Sequence, residues 1–138
     1  MTIKPSRQFT LIFVSVLLVL GLIVGGYYLI RNRTQEKGAI IVPQLPPDAK
    51  RGEVAFGNLC IECHGQNASG TDKGPPLVHR IYTPSHHSNV SFVRAVTLGA
   101  RQHHWLFGNM APLPQVERKE IDLIIIYIRE LQKANGIG

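Results

Sequence analysis

Three patterns of apolar and polar positions follow one another along this chain. From Phe9 to Ile30 no residue is charged, a run close to the roughly 20 residues a helix needs to cross a bilayer. Tyr27 and Tyr28 lie near its far end, where an aromatic belt would meet the headgroups. From Arg31 to Pro47 the sequence turns polar and then proline-rich, at Pro43, Pro46 and Pro47, which predicts an extended, semi-rigid tether. Ala39-Ile40-Ile41-Val42 interrupts that polarity and is expected to dock on the following domain or on a neighbour.

Beyond Asp48 the apolar positions recur at helical spacing. A first helix is predicted from Asp48, as N-cap, to Cys63, with Val54, Phe56, Leu59 and Cys63 on its apolar side. A second runs from Ser88 to Leu98 and stops at Gly99. A third runs from Val116 to Ala134, where Ile121, Ile124, Ile125, Ile128 and Leu131 give an i, i+3, i+4, i+7 stripe before Asn135-Gly136 ends it. No strand pattern competes and no internal repeat is visible. The expectation is therefore an N-terminal transmembrane helix (1–31), a tether (32–47) and one small all-α domain (48–138).

The alternative for the first segment is a cleaved secretory signal, which has an apolar core of about 7–15 residues and a small-x-small cleavage site. Here the run is longer and ends in Tyr27-Tyr28-Leu29-Ile30-Arg31, so a retained anchor is favoured. Within it, Gly21 and Gly25 have the spacing that lets another membrane helix approach closely. The formal charge of +6 is carried largely by Lys4, Arg7, Arg31, Arg33 and Lys37, on either side of the run. From Asp48 onward ten Lys and Arg face eight Asp and Glu. No basic stripe marks the domain, so a nucleic-acid partner is not expected.

The two cysteines fall in one motif, Cys60-Ile61-Glu62-Cys63-His64. On a helical turn, positions i, i+3 and i+4 share a face. Two thioether bonds can then hold one edge of a porphyrin while the His64 imidazole reaches its iron, which is the attachment pattern of haem c. A disulfide between Cys60 and Cys63 would close a very small loop and stabilise little. A thioredoxin-like redox pair needs a strand and crossover helix that the pattern lacks. A zinc site would need two distant histidines and leave His64 without a role. In bacteria haem is attached on the outer face of the inner membrane. The expected location is therefore the bacterial inner membrane, single-pass, with the haem domain periplasmic or extracellular.

A haem held by one histidine alone has an open sixth position. Of the two methionines, Met1 lies before the anchor, which leaves Met110. It stands in Trp105-Leu106-Phe107-Gly108-Asn109-Met110-Ala111-Pro112-Leu113-Pro114, a constrained apolar loop suited to holding a thioether against iron. The expected iron ligands are His64 and Met110. Five further histidines, His79, His86, His87, His103 and His104, read as surface and cap positions. The sharper alternatives are a bis-histidine haem or a second metal on the two His-His pairs, and nothing in the sequence brings those pairs together.

From about Asp48 to Gly136 the chain resembles a class I cytochrome c in a membrane-anchored bacterial form. Gly52 and Phe56 ahead of Cys60 match the family's first helix, and Tyr127 corresponds to the aromatic of its C-terminal helix. Gly74-Pro75-Pro76-Leu77 resembles the segment in which a proline carbonyl accepts the proximal histidine N–H, which would be Pro75 acting on His64. Met110 followed by Pro112 also matches. The stretch from His103 to Gly108 departs from mitochondrial forms, with Trp105 and Arg101 as candidates to cover the propionates.

The resemblance implies one covalent haem c bound by Cys60, Cys63, His64, Pro75, Trp105 and Met110. It also implies an electron carrier rather than an enzyme, with quinol-oxidising complexes, terminal oxidases or photosynthetic reaction centres as redox partners. The alternatives are a fixed haem-bearing subunit of a larger membrane oxidoreductase, or a haem enzyme or gas sensor with an open sixth site.

Overall fold

The isoleucine stripe of the last segment is the buried spine of the helical domain. In the computed structural model, which describes residues 7–36 and 39–138, this segment is α5 (Arg118–Ala134), with Ile121, Ile124, Ile125, Tyr127, Ile128 and Leu131 all buried. Four helices precede it: α1 (Arg7–Glu36), α2 (Pro47–Leu59), α3 (Ile61–His64) and α4 (Asn89–Leu98). Short 3-10 turns at Gln66–Ala68 and Arg80–Tyr82 join them. Among the described residues no strand forms, and the one strand-like feature is an antiparallel backbone pair between Ala100 and Met110.

Pro46 and Pro47 start α2 rather than Asp48: proline's fixed φ suits the first helical position and its missing N–H is unneeded there. Asp48 sits in the first turn instead, paired with Arg51. The helix also ends earlier than Cys63. At Cys60 the backbone leaves helical geometry (φ −121°, ψ −24°), and one further turn, α3, carries the chain to His64. Gly65, at φ +73°, then turns it away, a conformation that suits a residue without Cβ.

Gly52 faces α5 so closely that a Cβ there would lie 2.0 Å from the Leu123 carbonyl oxygen. Beside this crossing the rings of Phe56 and Tyr127 pack at 5.5 Å, tilted by 59°. Burial pushes the Tyr127 phenol up to about 12, and the Glu53 charge adds to the shift. A second apolar group, Val96, Val116, Ile121 and Ile125, joins α4 to α5 and reaches Met110 at its edge.

The structure divides at Ala39/Ile40 into two units, inside the segment expected as the tether, and α1 runs on to Glu36. The expected tether is also shorter at its other end. Ile40 and Leu45 pack on the haem-domain core, and Ile41 exchanges two hydrogen bonds with the Asn135 side chain, at 2.9 and 2.8 Å. Among the described residues no helix is long and apolar enough to cross a membrane. The expected spanning run, Phe9 to Ile30, falls in part on residues whose side chains lie outside those described.

Candidate functional site

The turn from Cys60 to His64 keeps helical hydrogen bonding despite the break. The Cys60 carbonyl accepts from the N–H groups of both Cys63, at 3.2 Å, and His64, at 2.9 Å. Cys60 and His64 line a cavity of about 550 Å³ together with Phe56, Pro75, Leu77, Trp105 and Met110, with α5 isoleucines along its wall. Cys63 is exposed. Its carbonyl closes the loop that follows by accepting from Thr71 Oγ1 at 2.6 Å. Gly74 passes so near that a Cβ there would stand 2.8 Å from that carbonyl oxygen.

Both thiols are free. Burial pushes the Cys60 thiol up to about 11, and Cys63 and Glu120 push the same way.

His64 Nδ1 lies 2.8 Å from the Pro75 carbonyl oxygen. A carbonyl can only accept, so Nδ1 carries the proton and Nε2 of the neutral ring holds the lone pair a metal requires. Desolvation holds His64 below the usual histidine range, against the opposing effect of the Pro75 bond. The ring therefore favours its neutral, ligating form.

Met110 is positioned by main chain. Its N–H donates to the Ala100 carbonyl at 2.9 Å, and its carbonyl accepts from the Ala100 N–H at 3.1 Å. Between these two residues the loop is braced by Gln102 N–H donating to Asn109 Oδ1, at 2.9 Å, and Gly108 N–H donating to Gln102 Oε1, at 2.8 Å. Gly99, at φ +79°, makes the turn from α4 into this loop and lies against the Met110 carbonyl.

Trp105 Nε1 is buried without a hydrogen-bond partner. Tyr82 is near enough for the indole to influence its phenol, but no bond of good geometry forms. A buried donor left unpaired costs roughly 1–3 kcal/mol, so its position in the cavity wall suits an acidic group arriving with a ligand. The residues present thus fit a haem: two thiols and an imidazole at attachment spacing, a thioether on the same cavity, apolar walls, and an unpaired donor for a propionate. Arg101 also lines the cavity.

Two features of the site were not legible in the sequence. Arg129 reaches from α5 to the carbonyls of Tyr82, at 2.7 Å, and His87, at 2.5 Å, and also to Asn89 Oδ1 and Gln132 Oε1. Its guanidinium stands 4.9 Å from the Phe92 ring centroid. The pairs His86-His87 and His103-His104, which nothing in the sequence brings together, meet at the cavity wall.

The cytochrome c family model matches residues 49–132, which is more than half of the chain and runs from α2 to near the end of α5. Neither a curated protein nor a solved structure matches the chain. Members of that family bind iron as covalent haem c, which is the group the cavity fits. The chain belongs to the cytochrome c family.

Proposed function

We propose that this protein is a membrane-anchored, single-haem electron carrier whose iron is ligated on its two faces by His64 and Met110. When bound, haem c supplies an iron that cycles between ferric and ferrous states, and no substrate bond is made or broken. The observation that carries the reading is that His64 and Met110 line one cavity while each is fixed by a backbone partner, Pro75 for one and Ala100 for the other. A thioether ligand raises the potential. Filling the sixth position also leaves no vacancy for peroxide or gas, which separates a carrier from a haem enzyme or sensor. Phe56, Leu77 and the α5 isoleucines keep water from the cavity, and Trp105 offers its unpaired N–H to a propionate.

Membrane attachment through α1 is supported by the uncharged run Phe9 to Ile30 within a 30-residue helix. Its described apolar side chains are exposed, Leu17 at 53% and Leu22 at 76% among them. An uncharged apolar run of that length inside a helix is suited to lipid rather than water. With haem attached outside the inner membrane, the haem domain faces the periplasm. Its electron donors and acceptors are then quinol-oxidising complexes, terminal oxidases or reaction centres on that surface. A fixed place in such a complex is favoured by Gly21 and Gly25, beside which a close-packing helix would find open space.

The test is the ferric absorption spectrum of the full-length holoprotein and of Met110→Ala. Wild type should show the weak red charge-transfer band of sulfur-ligated ferric haem. Met110→Ala should keep its covalent haem, lose that band and titrate at a lower potential. An unchanged band in the variant would rule Met110 out as ligand. Extraction of the protein from membranes by high salt alone would rule out the anchor.

A further inference from the structure

Four imidazoles from two separate loops converge beside the haem cavity. His86 and His87 follow the Arg80–Tyr82 turn and precede α4, whereas His103 and His104 belong to the loop closed by Ala100 and Met110. His86 Nε2 stands 3.2 Å from His104 Nε2, and His87 Nε2 stands 3.4 Å from His103 Nε2. The ligand atoms of His86, His87 and His104 all lie within 4.8 Å of one another.

The protonation pattern shows what this arrangement lacks. His87 Nδ1 lies 2.8 Å from the Ile81 carbonyl oxygen, and His103 Nδ1 lies 2.7 Å from that of Arg101. Both Nδ1 atoms therefore carry hydrogens, and in the neutral rings both Nε2 atoms carry lone pairs. Two lone pairs facing each other at 3.4 Å cannot hydrogen-bond while both rings are neutral, and a proton or a metal cation between them removes the repulsion. The same backbone device leaves the Nε2 lone pair of His64 free, and a carbonyl behind the ring is the usual support of a metal-ligating histidine. The two Nε2–Nε2 separations, 3.2 and 3.4 Å, agree as well. Nitrogens about 2.0–2.1 Å from a tetrahedral ion lie roughly 3.3–3.4 Å apart.

The frame is built rather than incidental. Arg129 holds the His87 carbonyl at 2.5 Å and the Tyr82 carbonyl at 2.7 Å, and the Tyr82 ring packs on His87 at 5.0 Å. On the other side the paired backbones of Ala100 and Met110 fix the base of the second loop. From Lys73 to Val116 the chain contains no Asp or Glu. The site therefore offers imidazole alone, which calcium and magnesium do not favour and which suits copper, zinc and nickel.

We propose that His86, His87 and His104, with His103 as a fourth imidazole, bind one transition-metal dication, copper(II) ahead of zinc(II), in the wall of the haem cavity. Copper takes precedence because a given nitrogen site binds it most tightly in the first-row series.

The full-length holoprotein, stripped with chelator, is titrated with copper(II) and separately with zinc(II). One copper per chain is expected, with nitrogen hyperfine structure in its electron paramagnetic resonance spectrum, and copper should displace bound zinc rather than the reverse. His86→Ala and His104→Ala should each weaken binding by at least tenfold, since losing even an outer-shell partner costs roughly 10–100-fold. The haem spectrum of both variants should stay that of wild type, which separates loss of the site from loss of the fold. His79→Gln, which alters a histidine outside both groups and outside the iron ligands, should bind as wild type does. Failure to take up one equivalent of either metal, or undiminished uptake in both alanine variants, would overturn the proposal.

Discussion

Ala100 and Met110 pair backbone to backbone in both directions, N–H to carbonyl at 3.1 and 2.9 Å, and so close a nine-residue excursion at its base. This pair, rather than the sequence around the methionine, determines where the thioether stands. Gly99 makes the pair possible: its φ is +79°, and a Cβ there would come within 2.6 Å of the Met110 carbonyl oxygen. Gly99→Ala should therefore displace Met110 while leaving the attachment motif intact. The expected result is a protein that keeps its covalent haem and shows a weakened or absent red charge-transfer band. Gly108→Ala is the comparison, with similar φ (+88°) and open space around the added methyl. It incurs only the left-handed backbone cost of roughly 1–2 kcal/mol and should keep the band.

The crossing of α2 and α5 sets a second expectation. At Gly52 an added Cβ would sit 2.0 Å from the Leu123 carbonyl oxygen and 3.0 Å from Tyr127 Cβ. Backbone cannot rotate aside as a side chain can, so the two helices must move apart. Overpacking of this kind costs typically 1–3 kcal/mol, and contact with backbone places Gly52→Ala at about 3 kcal/mol or beyond. One turn later Gly57 has nothing within 4 Å, and alanine there should raise stability by up to about 1 kcal/mol through helix propensity. Chemical denaturation of the two holoproteins should move in opposite directions, and equal behaviour would contradict the packing described.

How much of this was readable beforehand depends on the range over which each feature is determined. The α5 stripe and the spacing of Cys60, Cys63 and His64 are local, repeat within a turn or two, and stand in the sequence directly. The break at Cys60 left no such sign, because nothing in Asn58-Leu59-Cys60-Ile61 is a helix breaker. His86, His103 and His104 are exposed, in keeping with their reading as surface positions, but the meeting of the two His-His pairs was not legible. Their meeting requires two loops 16 to 18 residues apart to close on each other, and no periodicity encodes that. Ala39 to Val42 was readable as an interruption of polarity, but its seat on Asn135, 94 positions away from Ile41, was not.

Arg129 makes four hydrogen bonds beside the cavity. It donates to the carbonyls of Tyr82 and His87, to Asn89 Oδ1 and to Gln132 Oε1, and Gln132 in turn is fully buried and donates to the Leu77 carbonyl at 2.7 Å. A lysine carries the charge but not the planar fork that serves several acceptors at once. Hydrogen bonds to charged groups are worth about 1.5–3 kcal/mol each, and several acceptors here can turn to water. Arg129→Lys should cost about 2–3 kcal/mol on that scale, read by thermal denaturation of the holoprotein. A loss below about 0.5 kcal/mol, the usual range for a surface substitution, would mean the loop does not depend on the guanidinium.

Asn135 gives the most local expectation. Its side chain imitates a strand neighbour for Ile41, accepting from the Ile41 N–H at 2.9 Å and donating to the Ile41 carbonyl at 2.8 Å. A second Nδ2 bond, to the Leu131 carbonyl at 2.8 Å, ties it to the end of α5. Removing the amide leaves the fold's core untouched, because Ile40 and Leu45 still pack against it. It does free the Ile41 amide to exchange with solvent. At a net worth of about 1 kcal/mol per hydrogen bond, losing both should speed Ile41 exchange by at least tenfold in Asn135→Ala. Amides of the α5 core should exchange much as before, since their opening depends on global unfolding. Hydrogen exchange followed by mass spectrometry distinguishes the two. Acceleration spread evenly over α5 would show that Asn135 stabilises the helix rather than the docked segment.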